Sequence, residues 1–351
     1  MPSATLTKRR KTKSAFNATK TEREPLIFPD HITQDSLGIP VRLIQRLNAH
    51  EDTFNGTAKL HSNDYTRTFP IVFFEDLRKS RIFAAVLRQA AMFEQEIKQY
   101  EQVRCEYEKR IVKKMARADY MDWHEVLFST HSCAIEGNSF TVDDTRILKE
   151  QGLAMVPVGH SLLECTEMAD HFRAFRYVTT HLDAAFDEVL LCETNRLVTE
   201  NTLAYRAPGA VPGAYTTEDM AAGDTIFGDH ETLVARVPAL MASTADALGR
   251  DVHPMIVAAR FHGFFEYLHP FRDGNGRTGR LLSNWILLHA GHPLLIIDIK
   301  ERAAYIDALR MIRSEGTDEF LVAFFFRAAI ERMESELAQK CNNTQLGLFL
   351  F

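Results

Sequence analysis

The sequence contains few cysteines, and none is placed for a metal site or a redox pair. The five cysteines among 351 residues form no CxxC pair and no cysteine–histidine spacing typical of zinc binding. Their odd number argues against a framework of disulfides. These absences disfavour a disulfide-rich secreted fold and indicate a reducing compartment, so we expect a cytoplasmic protein.

The sequence also lacks a strong charge of one sign and a long uninterrupted apolar run. Because the formal net charge is −6, the surface as a whole does not attract nucleic acid or anionic membranes, and we expect neither as a partner. The apolar run LLSNWILLHAGHPLLIIDI is broken by polar residues, glycine and proline, which argues against a membrane span. The N-terminus has no apolar signal segment, and its basic residues indicate a disordered tail over 1–29.

Helical periodicity dominates the rest of the chain. Apolar residues recur at three- and four-residue spacing between 80 and 135, which predicts an amphipathic helix that breaks into a second one. Similar patterns predict helices over 161–182, 186–203, 233–250, 254–268, 281–291 and 301–339. We therefore expect a mainly α fold with a mostly helical N-terminal region over 30–115, a central domain over 116–310 and C-terminal helices over 311–351. The N-terminal region is a candidate module for partner binding or dimerisation, and homo-oligomerisation stays open.

One segment departs from the helical pattern. Residues 206–230, RAPGAVPGAYTTEDMAAGDTIFGDH, are rich in glycine and proline and have short apolar or β-branched pieces around Tyr215 and Ile226. This composition predicts a β-hairpin or ordered flap, with a plain surface loop as the alternative.

Residues 269–280, HPFRDGNGRTGR, combine glycines, arginines, one acid and one histidine within a short segment. Pro270 pushes His269 out of the preceding helix towards extended backbone. Gly274 and Gly276 allow successive N–H groups to point into one concavity where the next helix begins, which is typical of a phosphate cradle.

The charged side chains of this segment fit the same chemistry. Arg277 and Arg280 share one helical face and suit phosphate oxygens. Asp273 would repel a phosphate unless it holds a divalent cation, usually Mg²⁺, and His269 suits a general base. Together these residues indicate a phosphoryl or nucleotidyl transferase. The alternative is a simple turn, a solvated helix face and a hydrogen-bonded histidine; no GxxxxGK[ST] segment occurs, so a Walker-type site is excluded.

The segment resembles the signature of Fic-domain proteins. HPFRDGNGRTGR matches HxFx(D/E)GNGRxxR at every specified position, and the flanking RFHGFFEYL and LLSNWILLHAGHPL extend the likeness over about 120–310. The resemblance implies an all-helical Fic fold and transfer of AMP from ATP to a Tyr, Thr or Ser hydroxyl of a protein, with release of pyrophosphate. The target protein is unidentified, and the chain itself is another candidate.

The resemblance also implies a role for each residue of the motif. His269 would be the base, Phe271 the anchor of the loop in the core, Asp273 the Mg²⁺ ligand, Gly274, Asn275 and Gly276 the phosphate cradle, and Arg277 and Arg280 the outer phosphate ligands. The 206–230 flap resembles the family hairpin that registers a target segment by strand addition. Here Thr216 follows Tyr215 where relatives often have an arginine, which puts target docking in doubt more than catalysis.

A second signal lies upstream, in STHSCAIEGNSF. Glu136 precedes Gly137 and Asn138, which together are a stop signal for a helix. Its carboxylate therefore lies where the helix dipole disfavours a negative charge, by roughly a few tenths of a kcal/mol or more. It therefore needs a cation or solvent, and Ser132 lies one turn earlier on the same face, placed to orient it.

SCAIEGN matches the inhibitory motif (S/T)xxxE(G/N)N of Fic proteins that carry an inhibitory helix, here near 125–137. The resemblance implies that Glu136 pairs with Arg280 and blocks productive placement of the ATP γ-phosphate. In some relatives this glutamate also supports removal of AMP.

Two alternatives to AMP transfer stay open. The same cradle and base would serve transfer of another phosphate-containing group, or AMP removal as the main activity. A nucleotide-sensing regulator without turnover is disfavoured, because a sensor needs neither His269 as a base nor Asp273 as a metal ligand.

Overall fold

The computed structural model describes residues 92–154, 156–222, 225–227, 229–250 and 252–346. The tail predicted over 1–29 and most of the N-terminal region predicted over 30–115 lie outside these residues. All described residues belong to one of the chain's two structural units, Arg67–Phe351.

The described chain is mainly α-helical, which confirms the predicted fold class. Its helices of four or more residues are α1 (Glu94–Arg110), α2 (Arg117–Ile135), α3 (Val142–Gln151), α4 (Leu162–Thr180), α5 (Glu188–Thr199), α6 (Leu203–Arg206), α7 (Leu233–Leu248), α8 (Pro254–Leu268), α9 (Asn275–His289), α10 (Arg302–Glu315) and α11 (Glu319–Leu346). Within the described part of the chain, no helix is long and apolar enough to cross a membrane.

Local sequence signals fix where several helices begin. Capping boxes start α3, with Thr141 and Asp144, and α4, with Ser161 and Glu164, because each pair satisfies amides that the helix leaves free. His253 accepts a hydrogen bond from the Met255 amide and Pro254 opens α8, where a missing N–H costs nothing.

The core lies around α8 and α9, which hold the 269–280 loop between them. The ring centroid of Phe186 lies 5.1 Å from that of Phe261 on α8 and 5.1 Å from that of Trp285 on α9. Phe261, Phe265 and Trp285 are at most 1% exposed. Because both helices that flank the loop are buried among aromatic side chains, they form a rigid support for it.

A short hairpin lies within the predicted flap. Strands β1 (Ala221–Ala222) and β2 (Thr225–Ile226) pair antiparallel, with Ala221 opposite Ile226 and Ala222 opposite Thr225. The Phe227 amide donates to the Met220 carbonyl at 2.8 Å. Tyr215 lies outside this hairpin and forms an antiparallel bridge with Phe271.

Candidate active site

His269 ends α8 in a left-handed conformation, with φ 48° and ψ 57°. The expectation that Pro270 drives it to extended backbone is therefore wrong. Its amide donates to the Phe265 carbonyl at 2.8 Å, so the left-handed turn closes the helix and still keeps the residue before Pro270 out of the right-handed region. Within the described residues, His269 is the one non-glycine residue with positive φ. Such strain in a buried loop is typical of a functional site.

The His269 ring is held from two sides. The Phe227 ring, which follows β2, stacks on it with centroids 3.8 Å apart and planes 18° apart. The Arg313 guanidinium lies 4.8 Å from the centroid of the same Phe227 ring. On the ring edge, the Nδ1 atom lies 3.6 Å from Oε2 of Glu266, one helical turn earlier on α8.

Asn275 braces the loop rather than presenting its side chain to a ligand. Its Oδ1 accepts from the Phe271 amide at 3.0 Å, and its Nδ2 donates to the Phe271 carbonyl at 2.7 Å. Phe271 is 1% exposed, with its ring centroid 5.6 Å from that of Tyr215 and 6.2 Å from that of Phe265. The Asn275 side chain is thus used within the loop, and its backbone amide lies at the helix start.

The start of α9 has the geometry of an anion site. Gly274 caps the helix with φ 79°, a left-handed conformation that favours glycine, and the Thr278 amide is bonded to its carbonyl at 2.9 Å. The amides of 275–277 precede that first helical bond and have no acceptor within the helix. Because they combine with the positive end of the helix dipole, this position would favour a bound anion such as phosphate.

Gly276 lies directly beneath a carboxylate. A Cβ atom at this position would collide with Oε1 of Glu136 and would lie 2.9 Å from Nη1 of Arg280. The Glu136 carboxylate therefore lies over the first turn of α9, where a phosphate would bind. Only glycine leaves room for this approach.

Arg277 is a buried ion-pair residue, 1% exposed. Its Nη1 pairs with Oε1 of Glu167, and its Nη2 lies 3.1 Å from Oδ1 of Asp273. Burial opposes the positive charge, but the carboxylates of Glu167 and Asp273 outweigh it and raise the pKa of Arg277. Oδ2 of Asp273 is buried without a hydrogen-bond partner. The two motif arginines thus have different partners, although they share a helical face.

Arg280 connects α9 to the end of α2. Its Nε donates to the Ser132 hydroxyl at 3.1 Å, and its Nη2 donates to the Ser132 carbonyl and to Oε1 of Glu136, both at 2.8 Å. Burial opposes its charge, but neighbouring Tyr305 and Glu136 raise the pKa of Arg280. Ser132 therefore contacts Arg280, which in turn pairs with Glu136.

Tyr215 and Thr216 attach the flap to the motif loop. The Thr216 amide donates to the Pro270 carbonyl at 2.8 Å, next to the bridge between Tyr215 and Phe271. The Tyr215 hydroxyl donates to Oε1 of Glu188 at 2.6 Å. The Thr216 hydroxyl is bonded within its own turn, to the carbonyl and amide of Glu218.

Several residues of the site lie outside the motif and were not predicted from the sequence. Besides its ion pair with Arg277, Glu167 pairs through Oε1 with Nη2 of Arg206 at 2.9 Å and accepts a hydrogen bond at Oε2 from Nδ2 of Asn138 at 2.9 Å. His171 lies 3.1 Å from the Ser132 hydroxyl, and burial followed by the charges of Arg277 and Arg280 lowers its pKa far below the ordinary range. A signal existed in the sequence, because Glu167 and His171 are four residues apart on a mainly apolar helix face, and buried charges are normally paired.

Asn195 on α5 is another missed residue. Its Nδ2 donates to the Asp273 carbonyl at 3.0 Å and to the Thr278 hydroxyl at 3.2 Å, while its Oδ1 accepts from the Gly213 amide at 3.2 Å. Asn195 therefore joins the flap segment, at Gly213, to the loop. No local sequence pattern predicts this contact.

Comparisons with known proteins find similar sequences for the part of the chain that forms this site. Residues 185–287 match the model of the Fic/DOC family. The chain is 32% identical over 211 residues to the Protein adenylyltransferase Fic of Nematostella vectensis and 28% identical over 240 residues to the Protein adenylyltransferase fic-1 of Caenorhabditis elegans. These alignments cover 59% and 66% of this chain, which spans only 48% and 44% of the length of the two relatives.

Solved structures show the same fold. A Fic-1 fragment of C. elegans superposes with a TM-score of 0.55 at 23% identity and covers 80% of each chain. A Fic-domain signaling protein of Bacteroides thetaiotaomicron gives a TM-score of 0.54 at 20% identity, covering 69% of this chain and 94% of that one. At such identities the likeness is one of fold. Together with the match of residues 185–287 to the Fic/DOC family model, it shows that this part of the chain has a Fic-like fold and includes the 269–280 loop.

Proposed function

We propose that this protein transfers AMP from ATP to a Tyr, Thr or Ser hydroxyl of a protein and that it holds itself in a low-activity state. The observation that carries the transfer is that His269, Asp273 and the start of α9 lie within one strained, braced loop. The names of the relatives, which are adenylyltransferases, support the same class of reaction.

Each group of the loop has a task in this reaction. The amides of 275–277 hold phosphate oxygens at the start of α9 and stabilise the negative charge that grows as the bond to pyrophosphate breaks. His269 takes the proton of the target hydroxyl through its ring nitrogen as the hydroxyl oxygen attacks the α-phosphorus. Arg277 and Arg280 supply fixed positive charge behind the phosphates.

Asp273 fits the role of a Mg²⁺ ligand. Its Oδ2 atom is buried and has no hydrogen-bond partner, with Nη1 of Arg206 3.8 Å away, and a buried carboxylate oxygen that makes no hydrogen bond is suited to a hard cation. Bound there, Mg²⁺ would compensate phosphate charge and order the triphosphate. Its loop neighbour Arg277 holds the other oxygen, Oδ1, at 3.1 Å and so orients the carboxylate.

Glu136 is the proposed brake. Its carboxylate pairs with Arg280 and lies over Gly276, so it competes with phosphate for both the guanidinium and the helix start. A carboxylate and a phosphate cannot share one cationic site without strong repulsion. Productive ATP binding therefore requires Glu136 to move away, or to be replaced.

The proposed setting follows from the state of the cysteines. Cys105, Cys133, Cys165 and Cys192 are free thiols, which supports a reducing compartment such as the cytoplasm. The proposed partners are ATP, Mg²⁺ and an unidentified protein substrate, with the flap near Tyr215 and Thr216 as the surface where the target segment docks.

The test is self-labelling with radioactive ATP. Purified wild type, Glu136→Gly and Glu136→Gly/His269→Ala are incubated with α-³²P-ATP and Mg²⁺, then analysed by gel autoradiography and intact mass. We expect label of the mass of one AMP with Glu136→Gly, little with the wild type and none with the double variant. Absence of label in all three would overturn AMP transfer from ATP, and equal label in wild type and Glu136→Gly would overturn the brake alone.

A further inference from the structure

Two neighbouring side chains beside the loop, His269 and Glu266, each have a buried polar atom without a hydrogen-bond partner. Nδ1 of His269 and Oε1 of Glu266 are both buried without a hydrogen bond, and the other Glu266 oxygen lies 3.6 Å from that Nδ1. Buried polar groups in native proteins are almost always bonded, so each such atom needs an explanation. The 3.6 Å distance is less than 1 Å longer than an ordinary hydrogen bond of about 2.9 Å.

The charge on Glu266 is favoured by its surroundings. Burial works against the carboxylate, but its interaction with His269, followed by the charges of His262 and Arg280, leaves its pKa below the ordinary value. The positive charge of Arg313, from α10, also interacts favourably with this carboxylate. Glu266 is therefore a fixed anion next to the histidine ring.

We propose that Glu266 is a positioning residue for His269: its carboxylate holds the proton on Nδ1 and leaves the lone pair of Nε2 for the target hydroxyl. A neutral imidazole carries one proton, and the partner of one nitrogen decides which tautomer forms. This inference rests on the proposed function, since it assigns His269 its catalytic tautomer.

The second task of Glu266 concerns charge. When the target hydroxyl gives its proton to Nε2, the hydroxyl oxygen bonds to phosphorus, pyrophosphate leaves, and the ring becomes positively charged with a proton on each nitrogen. The neighbouring carboxylate stabilises that positive ring and does not itself take up the proton. The Phe227 ring, stacked at 3.8 Å, restricts rotation of the imidazole so that Nδ1 keeps facing Glu266.

The first test is nitrogen NMR of the full-length wild type labelled with ¹⁵N-histidine, with His269→Ala used to assign the resonance. We expect His269 in the Nδ1–H tautomer. A predominant Nε2–H tautomer would overturn the proposal, whatever the enzyme does with ATP.

The second test uses kinetics in the Glu136→Gly background. Glu266→Gln keeps the shape of the side chain and removes its charge, so we expect kcat for self-labelling to fall about tenfold or more while KM for ATP changes less than about twofold. Glu266→Asp should recover part of kcat. The control is Glu336→Gln, because Glu336 is a comparably buried acid (17% exposed against 15%) that pairs with Arg332 far along the chain.

The outcomes separate this inference from the proposed function. No label in the Glu136→Gly parent means that AMP transfer fails, and the NMR result then stands alone. Label in the parent with an unchanged kcat in Glu266→Gln overturns the positioning role. An equal loss of kcat in Glu336→Gln would assign the effect to general destabilisation and would also overturn it.

Discussion

Nη2 of Arg280 lies 2.8 Å from Oε1 of Glu136, and the same carboxylate fills the space above Gly276. One acidic side chain thus meets both the guanidinium and the helix start that a phosphate would need. The two contacts differ in kind, because the first depends on charge and the second on occupied space.

Glu136→Gln and Glu136→Gly should separate these two contributions. Glycine removes the side chain and should raise the initial rate of self-labelling by at least about tenfold, equal to ~1.4 kcal/mol. Glutamine removes the charge but still fills the space, so its rate should fall between those of wild type and Glu136→Gly. Glu150→Gly, at an exposed position of α3, is the control and should behave as wild type. A glutamine variant as slow as wild type would show that occupancy alone inhibits.

Glu167→Gln should destabilise the protein strongly. It leaves the buried charge of Arg277 with only Asp273 as a carboxylate partner, and breaking a buried pair in this way costs about 3–5 kcal/mol. Urea denaturation followed by circular dichroism measures the free energy of unfolding. The matched control is Glu193→Gln, since Glu193 pairs with Arg196 at a half-exposed site and its loss should cost at most about 1 kcal/mol. Equal effects of the two variants would contradict the burial argument.

Asn275→Ala should loosen the loop between α8 and α9. It leaves the buried amide and carbonyl of Phe271 without their partners, which costs about 1–3 kcal/mol for each unsatisfied group. Hydrogen exchange should then speed up at Phe271, and self-labelling should be lost even in the Glu136→Gly background. Gln151→Ala, at an exposed position, should leave both unchanged. Persistent protection of the Phe271 amide would rule out the bracing role of Asn275.

Acid should destabilise the fold through His262 and His292. Burial lowers the pKa of each to about 4, with the charge of Arg280 adding to the effect at His262 and that of Arg104 at His292. The unfolded chain, with an ordinary value of 6.5, binds these protons first, so stability present above pH 6.5 is lost as pH falls from 6.5 to 4.

The slope of that loss reaches about 1.4 kcal/mol per pH unit for one fully buried histidine. Urea unfolding at several pH values in this window measures it. His292→Gln should make the dependence shallower than in wild type. A free energy of unfolding that is flat between pH 6.5 and 4 would contradict the burial of both neutral imidazoles.

The helices were predictable from sequence because their signals are local. The helix predicted over 254–268 has the same bounds as the observed α8. The ranges predicted over 161–182 and 186–203 contain the observed helices α4 and α5. Apolar periodicity and capping residues are properties of neighbouring positions, so they survive without knowledge of the packing. The motif glycines likewise marked where α9 begins.

The partners of the buried charges were not predictable, because they depend on how helices pack. Glu167 and Arg277 are separated by 110 residues, and nothing near either one in sequence names the other. The backbone of His269 shows a different limit of local rules. Proline indeed keeps it out of the right-handed helix, but the closing bond to Phe265 selects the left-handed region over the extended one.

At position 269, fold stability and the proposed activity favour different residues, because of the left-handed conformation of His269. An L-residue at φ 48° costs of order 1 kcal/mol or more, whereas glycine adopts it freely. Drift towards a more stable fold would therefore favour glycine at 269 and erase the proposed base in one substitution. Selection for chemistry would keep a histidine there despite this cost, which makes residue 269 a position where relatives that have lost the reaction should diverge first.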